Sequence, residues 1–116
     1  MQIGVPKEIK SDEHRVGLIP SSVRELVALG HTVWVEQQAG SGIGFSDEDY
    51  VDVGAHIVPD APTLFSKGQL IVKVKEPQPS ECALLRAEHV LFTFLHLAPD
   101  LKQADGLIQS GCAAIA

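Results

Sequence analysis

The chain reads as an α/β domain of Rossmann-like (flavodoxin-like) architecture, three layers deep, with a mainly parallel sheet and helices on both faces. Two observations predict it. Six strand signals alternate with helix-length segments, the pattern of βαβ crossovers. The runs Leu70-Ile71-Val72-Lys73-Val74 and Val90-Leu91-Phe92-Thr93-Phe94-Leu95 are nearly continuous in apolar character, as strands buried on both faces are.

Residues 2–5 form the first strand, followed by a polar loop over 6–19. Pro20-Ser21-Ser22 opens a helix: Ser22 and Glu25 make a capping-box pattern, Val23, Leu26 and Val27 have helical spacing, and Gly30 suits the stop. The β-branched and aromatic run 32–36 is a strand. After a loop over 37–45, Ser46 caps a helix whose acidic first turn, Asp47-Glu48-Asp49, favours the helix dipole, and Gly54 ends it. A brief strand over 56–58, a short helix from Asp60 to Lys67 with Asp60 as cap, and a strand over 70–74 follow. Pro79 opens a helix over 78–88, the strand 90–95 comes next, then a helix over 100–110 ended by Gly111, and last the apolar strand 112–116. A core strand at a raw terminus implies further chain beyond residue 116.

With 116 residues, 45% of them hydrophobic, the chain suits one compact domain. A formal net charge of −6 with dispersed basic residues argues against a nucleic-acid partner. No apolar run approaches the roughly 18 residues of a membrane span and no signal-peptide layout opens the chain, so a soluble, cytoplasmic protein is expected. Cys82 and Cys112 lack metal-ligand spacing and read as small apolar core residues, and no metal site is expected.

The loop Gly40-Ser41-Gly42-Ile43-Gly44-Phe45 comes close to a dinucleotide fingerprint but has Phe45 where the third glycine is needed. It reads as a turn between strand and helix, so no cofactor-binding residue is expected in this chain. Chemistry is better placed at strand carboxyl ends, where open parallel sheets keep their ligand crevice. There stand Arg15 after the first strand, Lys75 after 70–74 and His96 after 90–95. A histidine beside an apolar run is commonly a satisfied structural residue, but a guanidinium that forks onto a carboxylate and an ammonium beside it suit a small 2-oxo or 2-amino acid. His96 could then exchange a proton with the substrate oxygen or with water. Glu8 either positions Arg15 or faces solvent.

In order along the chain, Gly4-Val5-Pro6-Lys7-Glu8, Glu13-His14-Arg15-Val16, Pro20 through Val23 and Leu26 to Gly30, the 40–45 loop, Lys73-Val74-Lys75-Glu76-Pro77 and Phe92-Thr93-Phe94-Leu95-His96-Leu97-Ala98 resemble the amino-terminal part of alanine dehydrogenase. Departures are mild: Asp12, Gly17, Ile19 and Ala28 stand where the family signature more often has Asn, Ala, Ser/Thr and a basic residue. The resemblance implies reversible NAD-dependent oxidative deamination of L-alanine to pyruvate and ammonium. In it, the residues matching Arg15 and Lys75 hold the substrate carboxylate and carbonyl, and the one matching His96 is the acid/base group. It places a second catalytic residue, an Asp, and the NAD site on a following Rossmann domain beyond residue 116, so that this chain alone is inactive, and it implies a hexamer for the intact enzyme. Within the superfamily, the proton-translocating transhydrogenase branch is expected to lack both Lys75 and His96. The alternatives are that transhydrogenase-like domain and a stand-alone binding module for small carboxylates.

Overall fold

The computed structural model describes residues 1–93 and the backbone of the strand Ala113–Ile115. The elements are β1 (Gln2–Val5), α1 (Pro20–Ala28), β2 (Thr32–Glu36), a 3-10 turn (Ser41–Ile43), α2 (Asp47–Asp52), β3 (His56–Val58), α3 (Ala61–Lys67), β4 (Leu70–Val72), α4 (Pro79–Cys82), β5 (Val90–Phe92) and β6 (Ala113–Ile115). All strand pairs are parallel, in the order β3-β2-β1-β4-β5-β6. Of the two doubly wound orders that the expected architecture covers, this is the Rossmann order 3-2-1-4-5-6 rather than the flavodoxin one.

Strand alternation sorts the core onto the two faces. Val33 and Val35 of β2 join Ile3, Val5, Val23 and Tyr50 on the side of α1 and α2. Trp34 points the other way, toward the cluster of Leu64, Phe65, Ile71 and Leu91 under α3. Helices therefore cover both faces, as the sequence predicts.

The helix ends show which local signals decide. Ser46 accepts from the Asp49 N–H while Asp49 accepts from the Ser46 N–H, a complete capping box. Asp60 caps α3 by accepting from Thr63. Gly30 and Gly54, both at positive φ, close α1 and α2 with paired bonds: Gly30 N–H to Val27 and His31 N–H to Leu26, Gly54 N–H to Val51 and Ala55 N–H to Tyr50. Ser22 is not a cap. α1 starts one turn earlier, at Ile19, with Pro20 at its first position, where its missing N–H costs nothing.

Three elements are shorter than predicted, among them β5, which ends at Phe92 with Thr93 already outside the strand. β4 ends at Val72 because the N–H groups of Val74 and Lys75 leave the sheet for the Glu8 carboxylate. α4 stops at Cys82 and not at residue 88. Beyond it the chain runs in tight turns, and the buried His89 ring accepts from the Arg86 N–H at 2.8 Å while its Nε2 meets the Phe65 carbonyl at 2.7 Å. Cys82, expected in the core, is half-buried. The predicted helix 100–110 and Cys112 lie outside the described residues, as do residues 94 and 95 of the predicted strand. No helix among the described residues is long and apolar enough to cross a membrane.

Candidate functional site

Chain order reverses between β1 and β4, which lie side by side in the sheet, and the crevice of such a fold opens beyond that junction. The 6–19 loop leaves β1 and the 73–78 segment leaves β4, so residues of both arrive there. A cleft of about 180 Å³ opens among Lys7, Glu8, His14, Arg15, Gln38 and Ser41. That volume suits a molecule of a few heavy atoms.

Glu8 joins the two sides. Its Oε1 accepts from Lys73 Nζ at 3.0 Å and from the Lys75 N–H at 3.1 Å, and its Oε2 accepts from the Val74 N–H at 3.0 Å. Lys73 Nζ also meets Glu81 Oε2 at 3.0 Å, and Glu81 Oε1 accepts from the Gln78 N–H at 2.9 Å. All three charged side chains are buried. Burial pushes the Glu81 carboxyl up while Lys73 pulls it back. Glu8 therefore neither faces solvent nor touches Arg15: it is the clasp between the β1 exit and the β4 exit.

Arg15 lies in the cleft wall, paired with Glu13 through Nε to Oε2 and Nη2 to Oε1, each at 3.0 Å. This fork holds the Glu13 carboxyl at about 2, far below its ordinary value, with the Lys75 charge adding to the pull. Lys75 is half-buried and is not among the residues lining the cleft. Its carbonyl accepts from the buried Thr93 hydroxyl at 2.9 Å, which ties the β5 exit to the β4 exit. The structure thus places Arg15 in the cleft wall and Lys75 on the exit of the neighbouring strand β4, outside the lining. His96 lies outside the described residues.

The glycine-rich 40–45 loop builds the opposite wall. A Cβ on Gly42 would stand 2.8 Å from the His14 carbonyl oxygen, so only glycine lets this loop close onto the arginine loop. At the other end, a Cβ on Gly17 would stand 2.4 Å from the Val72 carbonyl oxygen, and the loop lies directly on β4. Between them the Tyr50 hydroxyl donates to the Leu18 carbonyl at 2.9 Å, and burial pushes its phenol up to about 12. The turn reading of 40–45 holds, but as a sequence signal it missed that this turn lines the cleft.

The loop that follows β1 has Gly17 as its only glycine and so lacks the glycine-rich turn that takes a dinucleotide pyrophosphate. Glu8 in the β1 loop instead accepts from the N–H groups of Val74 and Lys75 at the β4 exit. Gly40 is packed on Tyr50 and Phe45 and Gly42 on His14, whereas Gly44, at positive φ, faces open space. Among the described residues there is likewise no cluster of His, Cys, Asp or Glu that could hold a metal ion.

Sequence reasoning missed Lys73, Glu81 and Glu13. A lysine flanked by valines inside an apolar strand was a signal of a buried, paired charge. The Glu-x-Arg spacing in the 6–19 loop was a weaker signal for the fork.

The geometry agrees with what this chain is similar to. It is 51% identical over all of its length to an alanine dehydrogenase of Halomonas elongata and 44% identical to one of Methanococcus maripaludis, covering 31% of each. It therefore spans about a third of the length of the curated relatives it matches. Among solved structures, an L-alanine dehydrogenase superposes with a TM-score of 0.96 at 54% identity, over 100% of this chain and 32% of that one. A transhydrogenase from Sinorhizobium meliloti gives 0.92 at 25% identity, over 100% of this chain and 34% of that one. Since the model of the alanine dehydrogenase/PNT N-terminal domain matches from residue 4 to residue 116, across the strands, the clasp and the cleft loops alike, the chain belongs to that family.

Proposed function

We propose that this chain forms the substrate-side wall of an L-alanine dehydrogenase, an oxidoreductase catalysing the reversible NAD-dependent oxidative deamination of L-alanine to pyruvate and ammonium. What supports this reading is a cleft sized for a small acid with Arg15 in its wall, and Lys75 on the exit of β4, the strand beside β1. Arg15 receives the substrate carboxylate and Lys75 donates to the carbonyl oxygen. His96 follows β5 by four positions and exchanges a proton with that oxygen or with the water that replaces the amine. NAD is assigned to a Rossmann domain in the part of the longer relatives that this chain does not span. Hydride transfer needs donor and acceptor carbons held together, so the chain alone does not turn over. In the intact enzyme, a cytoplasmic hexamer by resemblance, two domains would meet across this cleft.

Chemical-shift titration of the chain with pyruvate tests the site. Weak, saturable shifts at Lys7, His14, Arg15 and Gln38, lost in both Arg15→Ala and Lys75→Ala, are expected. Binding unaltered in the two variants places the pocket elsewhere. A steady NADH signal from alanine and NAD that tracks the purified chain refutes the division of labour.

A further inference from the structure

A guanidinium has five N–H donors, and Arg15 commits only one edge of its plane to Glu13. Nε and one hydrogen of Nη2 are engaged. Both hydrogens of Nη1 and the second of Nη2 remain; one Nη1 hydrogen and that second Nη2 hydrogen make the end-on edge that binds a carboxylate bidentately. Glu13 grips the arginine a third time, accepting from the backbone N–H of Arg15 at 2.8 Å. The burial is lopsided: the Glu13 side chain is 5% exposed and that of Arg15 62%. A buried anchor thus holds a reachable cation, from behind.

Resting on the reading of Arg15 as the carboxylate-binding residue, we propose that Glu13 is a positioning residue that fixes the plane of the Arg15 guanidinium with its end-on edge turned to the substrate. The opposite role, an internal carboxylate that substrate must displace, does not match the geometry. A competitor takes the edge that substrate needs, whereas Glu13 takes the side edge and a backbone N–H that no substrate replaces. An unrestrained arginine gives up its rotamer freedom when the ligand arrives; here that freedom is already gone.

Glu13→Asp separates position from charge, because it keeps the anion and withdraws it by one methylene from the fork. Two quantities are read on the chain, the Kd for pyruvate and the exchange protection of the Arg15 Nε–H signal in a nitrogen-15 spectrum. The expected result is binding weakened roughly five- to tenfold, with the Nε–H signal lost to solvent exchange and the backbone amide spectrum otherwise unchanged. Glu13→Gln, of native length with one acceptor oxygen left, is expected to lie between the two in Nε–H protection, and it serves if the aspartate variant misfolds. Unchanged or tighter binding in Glu13→Asp, while Arg15→Ala abolishes it, overturns the positioning role and leaves the functional reading standing. Retained Nε–H protection in Glu13→Asp overturns it too. Pyruvate binding that survives Arg15→Ala overturns the functional reading instead, and the Nε–H signal still reports whether Glu13 holds the arginine.

Discussion

Replacing Lys73 by Met removes the one cation that serves two buried carboxylates. Lys73 Nζ lies 3.0 Å from both Glu8 Oε1 and Glu81 Oε2, and the three side chains are 1%, 2% and 3% exposed. Methionine fills nearly the same volume, so the cavity contribution is small and the loss is electrostatic. Breaking a buried pair by deleting one partner costs about 3–5 kcal/mol. Glu8 keeps two backbone donors and Glu81 keeps the Gln78 N–H, which points to the lower end of that range. Against a domain stability of about 5–15 kcal/mol, Lys73→Met should unfold at a urea midpoint lower by roughly 1–3 M with an unchanged slope. The deficit should also depend on pH. Burial already holds the Glu81 carboxyl above its ordinary value of 4.5, and without Lys73 it rises further. A carboxyl raised in the fold binds its proton more tightly there than in the unfolded chain, so stability falls as pH rises through the folded value. The gap between variant and parent should therefore narrow as pH is lowered from 7 toward 4.5. Glu81→Gln is the milder comparison: its one amide oxygen can accept from the Gln78 N–H or from Lys73 but not from both, while Lys73 keeps Glu8, and the loss should be about 1–3 kcal/mol. A Lys73→Met loss below about 1 kcal/mol at pH 7, or one that does not change with pH, refutes the account of a buried clasp.

Three further outcomes are expected. Glu13, with its carboxyl lowered to about 2 by Arg15, contributes stability that is present above its unfolded value near 4.5 and is lost as pH falls toward 2; a carbon-13 titration should place its midpoint near 2, and a midpoint above 4 would mean that the fork does not persist in solution. Ser46→Ala should cost about 1 kcal/mol in urea unfolding through the lost capping box, whereas Ser22→Ala should change stability by less than about 0.5 kcal/mol because α1 is capped upstream of it. Gly42→Ala forces the 40–45 loop off His14, so amide shifts should move at His14 and Arg15 and pyruvate binding should weaken; a spectrum unchanged outside residue 42 would show that the two loops are not in register.

What was legible in the sequence and what was not divides along a physical line. Ser46 with Asp49, Asp60, Gly30 and Gly54 act within a few residues of themselves, and each does what its local pattern dictates. Ser22 with Glu25 carries an equally good local pattern and fails because Pro20, two residues earlier, already satisfies the first helical position. Arg15 and Lys75 could be placed on the exits of two parallel strands from topology alone, and those strands turn out to be neighbours. The groups that hold them could not be read this way. Glu8 is bound to residues 65, 66 and 67 positions along the chain, and nothing in Pro6-Lys7-Glu8 distinguishes a clasp from a solvated carboxylate. Lys73 was nearer to legibility, because an ammonium in an apolar strand must find an anion, but the sequence does not say which one. Had the order placed β1 and β4 apart, Glu8 could not have reached the β4 exit, and Lys73 would have been left with Glu81 alone. The clasp is thus a consequence of the Rossmann order itself: the reversal that makes β1 and β4 neighbours also brings together the carboxylate and the ammonium that join their two exits.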